Sequence, residues 1–161
     1  MPVTDVRKDP AHLTLTLVSE YDHPVEKVWS LWSDPRKLEK WWGPPSHPAT
    51  VGVHDLVSGG RVTYCMTGPD GEQYHGLWQV RAVSAPHRLE AEDFFTDSDG
   101  NVNHDLPTTR MQVSLAARPE GGTRMSITSH FPTLEAMEQI LAMGMEEGAT
   151  SALAQADAVL A

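Results

Sequence analysis

The stretch PVEKVWSLWSDPRKLEKWWGPP, residues 24–45, decides the fold, because it spells two short helices and the corner that joins them. Pro24 suits the first position of a helix, where its missing N–H is one of the donors left unpaired in any case. Asp22 or His23 stands before it as a cap, and Val25, Val28, Trp29 and Trp32 supply an apolar face at helical spacing. Asp34-Pro35 then repeats the start signal: the aspartate can cap, the proline opens, and Leu38, Trp41 and Trp42 recur before Gly43-Pro44-Pro45 stops the helix.

On the N-terminal side, His12 to Tyr21 alternates Leu13, Leu15 and Leu17 against Thr14 and Thr16, the period-two pattern of a half-buried strand. It reads as the first strand, with residues 1–11 a flexible lead. On the C-terminal side, from Thr50 onward, the chain reads as successive strands separated by turn chemistry. Gly68-Pro69-Asp70-Gly71 fits a type I turn between Gly60 to Thr67 and Gln73 to Ser84. Ala85-Pro86-His87 punctuates the next boundary, ahead of Arg88 to Phe95. Asp99-Gly100 and Gly121-Gly122 are hairpin signals, the second joining Arg110 to Ala117 with Thr123 to Phe131. The expectation is an antiparallel meander.

Met111, Val113, Leu115, Met125 and Ile127 alternate with polar neighbours, so the last two strands have one apolar face that needs a cover. Met137, Leu141, Met145, Ala149, Leu153, Ala156 and Leu160 form a stripe at helical spacing after Pro132-Thr133, and predict one long amphipathic helix that supplies it. The fold class expected is therefore α+β, a curved antiparallel sheet around a long C-terminal α-helix, in a single domain over residues 1–161.

Composition narrows the partners. A formal net charge of -10 disfavours nucleic acid, whose backbone demands clustered Lys and Arg. Arg36, Lys37 and Lys40 are interrupted by Glu39 and read as a solvated helix face. The one cysteine, Cys65, cannot form an internal disulfide, Met1 to Pro10 lacks the apolar core of a signal peptide, and no run reaches the ~18 apolar residues of a membrane span. A cytoplasmic protein with no membrane partner is expected. The eight histidines include no HxH or HxxxH pair, so no metal site is expected, and no cofactor. Nucleophile elbows and phosphate loops are absent as well.

The order of elements, with Pro24 to Trp29, Trp32, Asp34-Pro35, Leu38, Trp41-Trp42-Gly43-Pro44, Gly59-Gly60, Met66 to Gly71, Gly76 and Pro86-His87-Arg88-Leu89, resembles the activator of heat-shock protein 90 ATPase homologue family of the START-like (SRPBCC) superfamily. The resemblance covers nearly the whole chain. It implies the helix-grip fold, an internal cavity that in various members holds lipids, hormones or polyketide-like molecules, and a weaker link to the chaperone itself. One departure stands out: relatives commonly carry Gly-Trp in the closing helix where this chain has Gly148-Ala149, and the missing indole implies a wider cavity.

These considerations make a small hydrophobic molecule the expected partner, held by a wall of Trp32, Tyr64, Met66, Trp78, Met111, Val113, Met125, Ile127, Phe131, Met145 and Ala149 if Gly76, Trp78 and Val80 face inward. A register shift of one residue would exchange the faces. The methionines serve equally as core filling, and Gly144 and Gly148 read either as a bend or as close-packing points. Tyr64, His75 and Asp93 are the candidates for general acid and base work, since a desolvated carboxyl titrates nearer neutrality. Each also has a plain alternative, as a wall residue, an outward strand residue and an edge charge. A small cyclase or dehydratase on polyketide-like substrates and a co-chaperone are the competing readings, and the exposed sheet edges with the Trp41-Trp42 corner leave homodimerisation open.

Overall fold

The computed structural model describes residues 3–161. Its strands are β1 (Val3–Asp9), β2 (Thr14–Tyr21), β3 (Ala49–His54), β4 (Arg61–Thr67), β5 (Gln73–Ser84), β6 (Arg88–Thr96), β7 (Thr109–Ala117) and β8 (Thr123–His130). Two helices, α1 (Val25–Ser33) and α2 (Pro35–Trp41), follow β2, and three more, α3 (Leu134–Ala142), α4 (Met145–Leu153) and α5 (Ala156–Leu160), close the chain. The strands form one antiparallel sheet in the order β1-β2-β8-β7-β6-β5-β4-β3. From β3 to β8 the chain simply meanders; the β2–β8 pairing brings the N-terminal hairpin alongside and leaves β1 and β3 as the edges.

Local chemistry explains the helical corner. Pro24 is the extended residue before α1, and no side chain caps that helix, so neither Asp22 nor His23 does so. Asp34 does cap α2: its carboxylate accepts from the Arg36 N–H at 2.9 Å, with Pro35 in the first turn. Side chains then fasten the corner to its neighbours. The Trp41 indole donates to the Leu31 carbonyl at 2.9 Å, Arg36 Nη2 donates to Val51 O at 3.0 Å, and Glu39 accepts from the Val51 N–H at 3.0 Å.

Two expectations are corrected. Residues 3–9 are not a flexible lead but the edge strand β1, paired with β2 from Val3 opposite Ser19 to Asp9 opposite Thr14; Met1 and Pro2 lie outside the described residues. The long closing helix is instead three short ones. Gly144 has φ +89°, which a glycine adopts without steric penalty, and it ends α3. The apolar stripe serves two separate patches: Met137 and Ile140 of α3 pack with Leu15 and Phe131, whereas Leu153, Ala156 and Leu160 join the main core with Leu17, Trp32 and Met125. One straight helix would have to serve both, and the left-handed glycine lets the chain turn between them. At the α4–α5 junction Gln155 Nε2 donates to the Gly43 carbonyl at 2.7 Å, which ties the closing segment to the Trp42 corner.

Candidate functional site

The site is built from the inward residues of three neighbouring strands. Pairing puts Val62 opposite Trp78 and Tyr64 opposite Gly76 between β4 and β5, then Gly76 opposite Phe95, Trp78 opposite Asp93 and Val80 opposite Ala91 between β5 and β6. Side chains of directly opposed residues share a face, so Tyr64, Gly76 and Phe95 form one row and Trp78 and Asp93 the next. Gly76 has a specific job there. A Cβ built on it would lie 2.1 Å from Tyr64 Cζ, so the phenol ring rests on the bare glycine backbone. The ring's hydroxyl then reaches across β5 and donates to Asp93 Oδ1 at 2.7 Å.

Gly76→Ala is therefore expected to push the Tyr64 ring off its seat and break its bond to Asp93. The tyrosine and aspartate resonances should move together in an NMR spectrum while the dispersion of the remaining spectrum is retained. Unchanged resonances at both residues would contradict this geometry.

Desolvation dominates the electrostatics. Burial pushes the Asp93 carboxyl up to about 7, and the hydrogen bond from Tyr64 offsets only part of the rise. The Tyr64 phenol is held well above its usual value of 10, first by burial and then by the adjoining Asp93 carboxylate. It consequently keeps its proton throughout the neutral range. The Trp42 indole lies close enough to lower that value slightly, but outside hydrogen-bond geometry.

An aromatic cluster surrounds the pair. Trp42 sits 4.8 Å from Trp78 and 5.7 Å from Tyr64 between ring centroids, both in edge-on arrangements, and Trp32 and Trp41 back them. Both the Trp42 and the Trp78 Nε1 atoms are buried without a hydrogen-bond partner. A buried indole N–H normally finds an acceptor. Here two such donors stand among the rings that pack around the Tyr64–Asp93 pair.

The sequence-derived wall divides into two parts. Trp32, Trp78, Met111, Val113, Met125 and Ile127 are buried in the main core, and Phe131 is buried in the smaller cluster beneath α3, against which half-buried Met145 packs. Tyr64, Met66 and Ala149 remain half-buried, as do Phe95 and Trp42. The inner face is thus fully buried at its centre and incompletely buried at the row of Tyr64, Met66 and Phe95. On the helical side, the Cβ position of Gly148 has nothing within 4 Å, which removes the close-packing reading for that glycine.

His75 belongs to the other face. It lines an outer cleft of about 360 Å³ with Thr50, Arg61, Thr63 and Cys65, under the turn of Asp97 to Gly100, and although Tyr64 and Gly76 also border that cleft, His75 takes no part in the Tyr64–Asp93 hydrogen bond. Trp42, Phe95 and the seat at Gly76 were not singled out by sequence reasoning. A glycine in the interior of a strand is itself the signal for a close approach, whereas nothing local marks which of the two adjoining tryptophans turns toward the sheet.

Among the described residues no group of three or more His, Cys, Asp or Glu side chains could hold a metal, and no helix is long and apolar enough to cross a membrane.

This architecture has solved counterparts. A Mycobacterium smegmatis protein is 51% identical over 99% of this chain and 98% of its own, with a TM-score of 0.92. An Arthrobacter aurescens protein is 45% identical over 98% and 91% of the two chains, with a TM-score of 0.93. A Staphylococcus epidermidis protein at 25% identity, over 98% and 93%, still has a TM-score of 0.84. No curated protein matches the chain. The family model described as Activator of Hsp90 ATPase homolog 1-like protein matches residues 22–161, a span that takes in both helices of the Trp42 corner, β3 to β8 and the whole closing segment, and the chain belongs to that family.

Proposed function

We propose that this protein is a binding module for a small, largely apolar molecule, taken between the inner face of β4 to β6 and the closing helices and oriented by the Tyr64–Asp93 pair. Family membership supports ligand binding at the coarse level. The observation that carries the finer reading is the half-buried apolar row of Tyr64, Met66 and Phe95 beside a desolvated hydroxyl–carboxyl pair. Few, well-placed polar groups on an apolar wall are the usual composition of a small-molecule site. On the helical side the Cβ position of Gly148 is open, and the neighbouring Ala149 is a small, half-buried side chain packed against the main core.

The neutral dye N-phenyl-1-naphthylamine should bind the full chain saturably, with enhanced fluorescence, and Ala149→Trp should weaken that binding by about tenfold or more by filling the space with an indole. Absence of saturable binding would overturn the reading. The same pair favours a second reading, in which Tyr64 and Asp93 act as acid and base on an enclosed substrate. That reading expects turnover of a bound carbonyl compound to fall with Asp93→Asn while the compound's affinity is retained.

A further inference from the structure

The inner face around Tyr64 and Asp93 is rich in hydrogen-bond donors and empty of cations. Tyr64 comes from β4, Trp78 from β5 and Thr109, the residue opposite Asp93, from β7; Trp42 comes from the end of α2. None of these bears a positive charge. The charges on the same strands alternate outward: Arg61 and His75 line the outer cleft, and Glu92 is engaged by Arg81. Glu146 of α4 is turned to Lys8 at 3.0 Å, and His54 Nε2 bonds the Trp32 carbonyl at 2.9 Å. No Lys, Arg or His contributes to the electrostatics of either member of the pair. An anionic ligand group would meet the Asp93 carboxylate with no countercharge to offset it.

We propose that, while Asp93 is ionised, the site selects a neutral ligand bearing a carbonyl oxygen over the corresponding carboxylate, and that protonation of Asp93 strengthens carbonyl binding by releasing the Tyr64 hydroxyl from its hydrogen bond. With Asp93 ionised, the Tyr64 hydroxyl is committed to Oδ1 and has no proton to offer a ligand oxygen. With Asp93 protonated, its carboxyl donates to Tyr64 Oη and the phenol proton turns to the ligand, so the site gains one donor. No bond to carbon is made or broken; one proton enters the pair, and each hydrogen bond keeps one donor and one acceptor. Because burial places the Asp93 titration near neutrality, the switch operates between about pH 5.5 and 8.5.

This inference rests on the binding reading above, and the experiment separates the two. Three probes of one shape are titrated against the full chain by tryptophan quenching at pH 5.5 and 8.5: 2-ethylnaphthalene, 2-acetylnaphthalene and 2-naphthoate. The hydrocarbon should bind equally at both pH values and equally to Tyr64→Phe. The ketone should bind about tenfold more tightly at pH 5.5 than at 8.5, the value of one hydrogen bond. Tyr64→Phe and Asp93→Asn should each remove the pH dependence, and 2-naphthoate should bind more weakly than the ketone at pH 8.5. Hydrocarbon binding with no advantage for the ketone at pH 5.5 over pH 8.5, or with naphthoate preferred to the ketone at pH 8.5, would overturn the switch and leave the binding reading standing. Failure of the hydrocarbon itself to bind would overturn both.

Discussion

Replacing Trp32 with alanine lowers the unfolding free energy by about 3–5 kcal/mol, the range for truncating a fully buried aromatic residue. Trp32 is 0% exposed. Its indole donates to Met125 Sδ at 3.2 Å, and its ring lies 4.9 Å from Trp41, 6.0 Å from Trp42 and 5.8 Å from Trp78 between centroids. The residue joins the helical corner to the sheet, so its loss opens a cavity lined by three other indoles that cannot all collapse inward. Trp42→Ala should be milder, because that residue is half-buried. Urea unfolding of both variants gives the comparison, and a loss below about 1 kcal/mol for Trp32→Ala would contradict its place at the centre of the core.

The second large effect is on the pH dependence of stability. The Asp93 carboxyl titrates near 3.8 when solvated and is raised to about 7 in the folded protein. Between those values the folded state binds more protons than the unfolded state, so stability falls as pH rises. The penalty is absent below about pH 4 and complete above about pH 7. At roughly 1.4 kcal/mol for each pH unit between the two values it amounts to at most about 4 kcal/mol, and the incomplete burial of Asp93 reduces it. Asp93→Asn, which cannot ionise, should flatten the profile across that window and should be more stable than the parent at pH 8. Parallel profiles for parent and variant from pH 4 to 8 would show that Asp93 is solvated after all.

Much of the fold is legible in the sequence, and for identifiable reasons. Turn residues with obligatory conformations mark the boundaries: Gly71 and Gly122 both have positive φ, and the strands on either side of them fall where alternation puts them. The two helices of residues 24–45 are written by Asp34-Pro35 and by the tryptophan spacing. What was hidden was hidden physically. The burial of β1 barely alternates and its sequence carries Asp5, Arg7 and Lys8, as an edge strand protected from further pairing does. Charge of that kind reads equally well as a tail. The break at Gly144 leaves the apolar spacing on either side undisturbed, so periodicity runs straight through it.

The site was half legible. Alternation alone places His75 opposite in sense to Gly76 and Trp78, and so outside. Tyr64 and Asp93, in contrast, are 29 residues apart and meet only because the registers of two successive strand pairs align them across Gly76. Neither residue's own neighbourhood in the chain announces the other. The role of Trp42 depends on the tilt of the α1–α2 corner, which no local pattern encodes.

Ligand binding on the inner face is tested by an NMR titration of the full chain with 2-ethylnaphthalene, following backbone amides and methionine methyls. Saturable shifts are expected to concentrate at Met66, Phe95 and Ala149, with Thr50, Thr63 and His75 on the outer cleft unmoved. Shifts centred on the outer cleft, or scattered without saturation, would contradict binding on the inner face.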